Sequence, residues 1–373
     1  MNFISEPHDV DIVIAVHQLT RPIERAVLSA LAAGSPGQVR VIVVGHGLES
    51  DDLWSVLGGC PSDHVHVVKH VDGIRSAAGP FNAGLQAATA EFVGVMGSDD
   101  LLEPGSISSW VAQARQDSAD AIVAPLRFQS GPMVRTPRLR ALRRSKLDPV
   151  RDRLAYRTAP LGIIRMAVVQ TQTLAFTEGM ATGEDVSFSL RLWFGGARIA
   201  MGYPGKSYII GEDAQDRVTQ RRLPLDEEFA AFSAVLEERW FHELSASGRR
   251  SIAVKIARIH VIPAVSGRGA EWDWTGSDGM AVHHLLAELD AAAAGYAAPL
   301  SRADRALLEA AAKLPANARS MGEALNNYGR ASRSDRLLTQ KLAGNFLVES
   351  NARYFFDLKL AHGLARWTPR WAA

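Results

Sequence analysis

Apolar positions in the first third of the chain come in short β-branched blocks separated by stretches of helical period. Asp11–Val16 (DIVIAV), Val39–Val44 (VRVIVV), Val65–Val71, Glu91–Met96 (EFVGVM) and Asp120–Phe128 read as strands. Their apolar runs are continuous rather than alternating, as in strands covered on both faces. Between them, Pro22–Ala33 carries Ile23, Val27 and Leu31 at helical spacing, and Leu53–Leu57, Ala83–Ala90 and Ser106–Arg115 also read as helices. Repeated βα units predict an α/β fold, a mostly parallel sheet with helices on both faces. The pattern resumes over Gly162–Tyr208.

From Pro224 the period changes. Leu225, Phe229, Phe232, Leu236, Trp240 and Leu244 recur every three or four residues, an amphipathic helix. Ile252–Ile262, Met280–Ala294, Arg302–Lys313, Asp335–Val348 and Ala352–Ala365 follow as further helices, and no strand pattern returns. The chain is therefore expected to divide into an α/β domain at 1–221 and an all-helical domain at 222–373.

Composition narrows the function classes. Of 373 residues, 47% are apolar and 22% charged, enough for a large core and too apolar for a disordered chain. A net charge of +1 argues against a nucleic-acid-coating surface. Cys60 stands alone, so an internal disulfide or Cys-rich metal site is excluded and a reducing compartment is expected. No run of about 18 uncharged apolar residues spans a membrane. The start, MNFISEPHDVD, is acidic where a signal peptide is basic. A cytoplasmic location is expected, with peripheral contact at the inner face of a membrane left open. Two local imbalances stand out. Arg135, Arg138, Arg140, Arg143, Arg144, Lys146, Arg151, Arg153 and Arg157 face only Asp148 and Asp152, either a solvated surface stretch or a patch for an anion. Near the end, Phe356, Leu360, Leu364, Trp367 and Trp371 fall on one helical face beside Arg353, Lys359, Arg366 and Arg370. Such a helix can lie on a membrane, or dock on the body or on a second copy as a homodimer contact.

Ligands of parallel sheets bind beyond the carboxyl ends of the strands. The sharpest signal there is Gly97-Ser98-Asp99-Asp100, directly after a buried strand. Adjacent carboxylates in that position offer hard oxygens to Mg²⁺ or Mn²⁺. They are equally the residues of an ordinary capped loop. A second signal is Gly183-Glu184-Asp185 before the helical run Val186–Phe194. These acids either complement the helix dipole or face a pocket as a general base.

In order and spacing, four pieces resemble the inverting glycosyltransferase family 2, with its GT-A fold, over about residues 9–220. They are IVIAVHQLTRPIERAVLSAL, VRVIVVGHGLESDD, FNAGLQAATAEFVGVMGSDDLLEPGSI and GEDVSFSLRLWFGGARI. The resemblance implies transfer of a sugar from a nucleotide-diphosphate sugar to a hydroxyl on a saccharide or lipid-linked acceptor, in cell-surface polysaccharide or glycolipid assembly. It implies that Asp99, with Asp100, holds a divalent metal on the donor diphosphate, and that Asp185, beside Glu184, deprotonates the acceptor. Asn82 matches the helix motif lining the donor site. A processive Gln-x-x-Arg-Trp motif is absent, which favours one sugar per acceptor.

The departures are specific. Gly97 stands where the family usually has an acid, Gly45-His46-Gly47 where it has the acids that read uracil, and Phe81 where it has Arg. The usual downstream metal-site His is not evident, though Glu212 and Asp213 lie near that point. His17, His46 and Arg75 could rebuild the nucleotide pocket, or could be a strand-end residue, a loop histidine and a surface ion-pair partner. A non-catalytic binding module acting through the helical part competes with the enzyme reading. A nucleotidyltransferase is weaker, because HQLTRP is a poor phosphate loop.

Overall fold

A computed structural model describes residues 8–213, 223–269, 274, 276–313 and 318–365. Two compact units emerge, one of residues 1–136, 143–147 and 157–220, the other of 137–142, 148–156 and 221–373.

The first unit is the α/β layer. In chain order it contains β1 (Val10–Val16), α1 (Ile23–Ala32), β2 (Val39–His46), α2 (Ser50–Val56), β3 (Val65–His70), α3 (Ala78–Ala87) and β4 (Phe92–Gly97). Then come β5 (Leu101–Leu102), α4 (Ser106–Gln116), β6 (Ala121–Val123), β7 (Leu126–Phe128), β8 (Gly162–Arg165), α5 (Met166–Thr171), α6 (Val186–Phe194), β9 (Ile199–Met201) and β10 (Tyr208–Ile210). The main sheet runs β3-β2-β1-β4-β8-β6-β9, and a small sheet runs β5-β10-β7. All main-sheet pairings are parallel except those of β8. β8 can wedge in because it begins at Gly162, with φ of 140° and a Cβ position 1.9 Å from the Ile122 carbonyl oxygen. No side chain fits there.

β1 is buried at every position but Ala15, Asp11 included. The Asp11 carboxylate takes two bonds of 2.8 Å from Arg40 of β2, and the Thr89 and Ala90 N–H groups at 2.7 and 2.9 Å. A buried carboxylate needs such full pairing. The single strand expected over Asp120–Phe128 is two strands in different sheets, broken around Pro125. Proline has no N–H to continue a ladder.

The second unit is helical: α7 (Leu225–Glu237), α8 (Arg239–Glu243), α9 (Ala246–Ile256), α10 (Ile262–Arg268), α11 (Ser277–Ala292), α12 (Arg302–Ala311), α13 (Ala318–Gly329), α14 (Arg333–Leu337) and α15 (Asn351–Ala365). α9 and α10 are joined by a π turn at Ala257–Val261. Pro263, which cannot donate to a carbonyl one turn back, explains the widened turn. The helix expected over Asp335–Val348 is only the short α14 and a 3-10 turn at Leu342–Phe346. Polar side chains compete with the helix there: Thr339 Oγ1 donates to the Lys341 carbonyl, and Asn345 Oδ1 accepts from the Thr339 N–H.

The arginine-rich stretch divides: Arg135, Arg143, Arg144, Lys146 and Arg151 are exposed, as a solvated surface would have them, while others of its basic side chains turn inward. Arg140 holds the fully buried Asp152 at 2.6 Å. Arg153, 5% exposed at its side chain, reaches the Val348 carbonyl and Asp357. Arg157 is buried and donates to the Ala124 and Thr136 carbonyls; burial pulls its pKa down to about 9.

Candidate active site

The strand order places β1 beside both β2 and β4, so the connections leaving β1 and β4 diverge. Such a reversal opens a crevice at the carboxyl ends of the strands. The exit of β1 supplies exposed His17, then Arg21 and, one turn into α1, Arg25. The exit of β4 supplies the Gly97–Asp100 turn.

These two exits meet. Arg21 Nη1 lies 3.3 Å from Asp99 Oδ2, and Arg25 Nη2 donates to the Asp99 carbonyl at 3.1 Å. Arg25 also grips Asp213, with one bond of 3.0 Å and a second, shorter one. That pair raises the Arg25 pKa and lowers that of Asp213. Arg21 and Arg25 were not singled out by the sequence motifs. Each lies about 75 positions or more from Asp99, and only the fold makes them neighbours.

Asp100 behaves differently from Asp99. Its carboxylate accepts the Tyr208 hydroxyl, in a short bond, and the Gly211 N–H at 2.8 Å. Burial raises its pKa, and Tyr208, wholly buried beside it, is pushed well above its ordinary value by the same burial. The Gly97 N–H completes the relay by donating to the Tyr208 oxygen at 3.1 Å. A Cβ on Gly97 would stand 2.5 Å from Asp100 Oδ2. Gly97 therefore leaves room for the Asp100 carboxylate to turn back toward β10, which gives the unusual glycine a physical reason. Among the described residues, no three His, Cys, Asp or Glu side chains are grouped to hold a metal. Of the two acids, Asp99 is the one turned to Arg21 in the crevice, while Asp100 is occupied in bracing the turn. Hard divalent ions bind through as few as one or two carboxylates when phosphate oxygens and water complete the shell. The donor set fits that shared mode and not a closed protein cage.

Asn82 of α3 is a clamp on the loop that carries Phe176 and Glu178. Its side chain accepts from the Phe176 N–H at 2.8 Å, and donates to the Phe176 carbonyl at 3.0 Å and to Glu178 at 3.1 Å. Phe81, Phe176 and Phe188 pack as a row with ring centroids 5.0 and 4.7 Å apart. That row and clamp tie α3, the loop and α6 together. The loop then turns at Gly183, whose φ of 81° suits glycine, and delivers Glu184 and Asp185 to the start of α6. Burial raises the Glu184 pKa, and the Glu184 carbonyl accepts from the Thr177 N–H at 2.9 Å.

A third group lies at the ends of β2 and β3. His46 Nε2 is 2.7 Å from one oxygen of Asp72, and His70 Nε2 3.0 Å from the other. The Ile74 N–H bond and both imidazoles hold the Asp72 carboxyl well below the usual range. Asp72 and His70 had no motif to mark them, and His46 did. Arg75 is exposed in the loop that follows.

The family model described as "Glycosyltransferase like family 2" matches residues 7–212, more than half of the chain. The chain belongs to glycosyltransferase-like family 2. The match covers all three groups of side chains except Asp213. Among curated proteins, the succinoglycan biosynthesis protein ExoO of Rhizobium meliloti (strain 1021) is 26% identical over 230 residues, 58% of this chain and 64% of that protein. The matched stretch thus spans less than two thirds of that relative. Among solved structures, residues 1–349 of S. aureus TarS in complex with UDP-GlcNAc superpose with a TM-score of 0.73 at 15% identity, covering 87% of this chain and 92% of that one. The same TarS segment in complex with UDP gives 0.68 at 16% identity, with the same coverage. At that identity the likeness establishes the shared GT-A architecture of sheet and helical extension.

Proposed function

We propose that this protein is an inverting, non-processive glycosyltransferase. It moves a sugar from a nucleotide-diphosphate sugar to a hydroxyl on a saccharide or lipid-linked acceptor in polysaccharide or glycolipid assembly. The observation that carries the reading is Asp99 at the sheet's reversal point, flanked by Arg21 and Arg25, within a family-2 sequence. ExoO, named for succinoglycan biosynthesis, and TarS, seen with UDP-GlcNAc, support the substrate class.

On this reading the donor diphosphate lies at the crevice, where Arg21 and Arg25 offset its charge. A divalent cation would take Asp99 as protein ligand and diphosphate oxygens as the rest, supplying Lewis-acid stabilisation of the leaving group. Asp100 keeps the turn in shape through Tyr208. Asp185, beside Glu184, accepts the acceptor hydroxyl's proton as the oxygen attacks the anomeric carbon and the nucleoside diphosphate leaves with its electron pair. The Asn82 clamp and the phenylalanine row fix where these acids stand. His46 and Asp72, with His17 and Arg75 nearby in the loops, contact the nucleoside end.

Replacing Asp185 with Asn is expected to lower kcat by roughly 10²–10⁴-fold, the usual worth of a general base, with nucleotide-induced thermal stabilisation retained. Asp99→Asn should instead weaken the Mn²⁺-dependent stabilisation by UDP. Full turnover by the Asp185 variant would remove it as base. No stabilisation by any nucleoside diphosphate would favour the non-catalytic binding module.

A further inference from the structure

The outer face of α15 and the turn before it carry large apolar side chains that none of the described residues covers. Phe355, Phe356 and Leu360 are 50%, 61% and 47% exposed, and Leu342 and Phe346 are 76% and 78% exposed. The opposite side of α15 is tied down: the Tyr354 hydroxyl accepts from Arg138 Nε at 2.7 Å, and Asp357 holds Arg153 at 3.0 Å. α15 is thus apolar on its outward side and held by polar contacts on the other, and a monomer rarely leaves such an apolar face open. Phe356 and Leu360 lie one turn apart, on one stripe of the helix.

Charge says what covers it. Lys341, Arg353 and Lys359 are exposed among these side chains, and the Arg353 guanidinium sits 5.9 Å from the Phe356 ring centre. Arg353 also binds Asp357, the acid of that helix. Beyond Asp357 the sequence contains Lys359, Arg366 and Arg370 and no acid, with Trp367 and Trp371 interleaved; residues 366–373 lie outside the described ones. Aromatic and aliphatic side chains interleaved with lysine and arginine match the boundary of an anionic bilayer, apolar below and negative above. A protein partner of complementary shape would not call for such an excess of basic over acidic residues. Among the described residues no helix is long and apolar enough to cross a membrane, so contact here would be along the surface.

We propose that Leu342, Phe346, Phe355, Phe356 and Leu360 form a membrane-docking face that inserts into the interface of an anionic lipid surface, with Lys341 and Lys359 against the headgroups. This assignment stands on the exposed face itself and not on the sugar-transfer reading.

The test is co-sedimentation of the full chain with phosphatidylcholine vesicles, with and without phosphatidylglycerol. Binding is expected to the mixed vesicles and to fall as salt is raised. The triple variant F355S/F356S/L360S should lose roughly a hundred-fold or more in apparent partition, from the apolar area removed. K359E alone should weaken binding to the anionic vesicles and leave the helical circular-dichroism signal unchanged. Three results would overturn the proposal. The wild type could ignore both vesicle types, or the triple variant could bind as the wild type does. A dimer in sedimentation that the triple variant abolishes, with no vesicle binding, would assign the face to a second copy. Donor-induced thermal stabilisation, measured in parallel, reports the proposed catalytic function separately.

Discussion

At the scale of single residues, adjacent identical side chains do different work. Asp99 and Asp100 share a backbone turn, yet one pairs with Arg21 and the other is locked by Tyr208 and Gly211. The division predicts a distinct phenotype for the tyrosine. Tyr208→Phe removes the hydroxyl and leaves a buried carboxylate short of a donor, which costs about 1–3 kcal/mol. The expected outcome is a lower unfolding midpoint in urea together with weakened Mn²⁺-dependent UDP stabilisation, because the turn carrying Asp99 loses its brace. An unchanged midpoint would mean that the relay from Gly97 through Tyr208 is not holding the turn. The acidic pair at Glu184 and Asp185 was legible in the sequence because its glycine, acids and following helix are consecutive. The relay was not, since nothing local links Gly97 to a tyrosine more than a hundred positions on.

At the scale of elements, pattern and packing agree where burial is two-sided. β1, β2 and β4 fall where their apolar runs lie, because a strand covered on both faces has no polar side to confuse the period. The exception inside β1 is Asp11. It is fully buried, and its four bonds join β1 to β2 and to the start of β4's approach. Asp11→Ala strands the Arg40 guanidinium and the two N–H groups, and is expected to destabilise the protein by about 3–5 kcal/mol. Equilibrium denaturation checks this; a loss under about 1 kcal/mol would show that water replaces the carboxylate. Pattern and structure part where short-range competition decides. Pro125 splits one apolar run between two sheets, and Thr339 and Asn345 take over bonds that a helix would need.

Across the whole molecule, ion pairs set the acid limit of stability. Arg198 and its N–H depress the pKa of Asp120, and Ile74 with two imidazoles depresses that of Asp72. Burial opposes the same effect at Asp152 and Glu91, but Arg140 and the Arg115–Arg165 pair overcome it. A carboxyl whose folded pKa is depressed contributes stability that is complete above its ordinary pKa and lost as pH falls through the folded value. The thermal midpoint should therefore hold from neutrality to about pH 5 and fall steeply below about pH 4. A midpoint flat down to pH 3 would mean these pairs contribute little net energy. Asp100, Glu184 and Glu349, raised by burial, act in the opposite sense and gain from protonation on the way down, so they soften the fall and do not cause it.

The linear sequence by itself determined the class of fold, the change to helices after Pro224 and the family, because hydrophobic period and consecutive motif residues are local properties of the chain. It also held Asp99, Asn82, Glu184 and Asp185 in recognisable spacing. Only the tertiary structure decided what those residues touch. It brought Arg21 and Arg25 to Asp99, turned Asn82 into a clamp on the Phe176 loop, buried Arg153 and Arg157 out of an otherwise largely exposed basic stretch, and left the outer face of α15 open. Pairing energy and burial arise between segments tens to hundreds of positions apart, and those relations exist only once the chain has closed on itself.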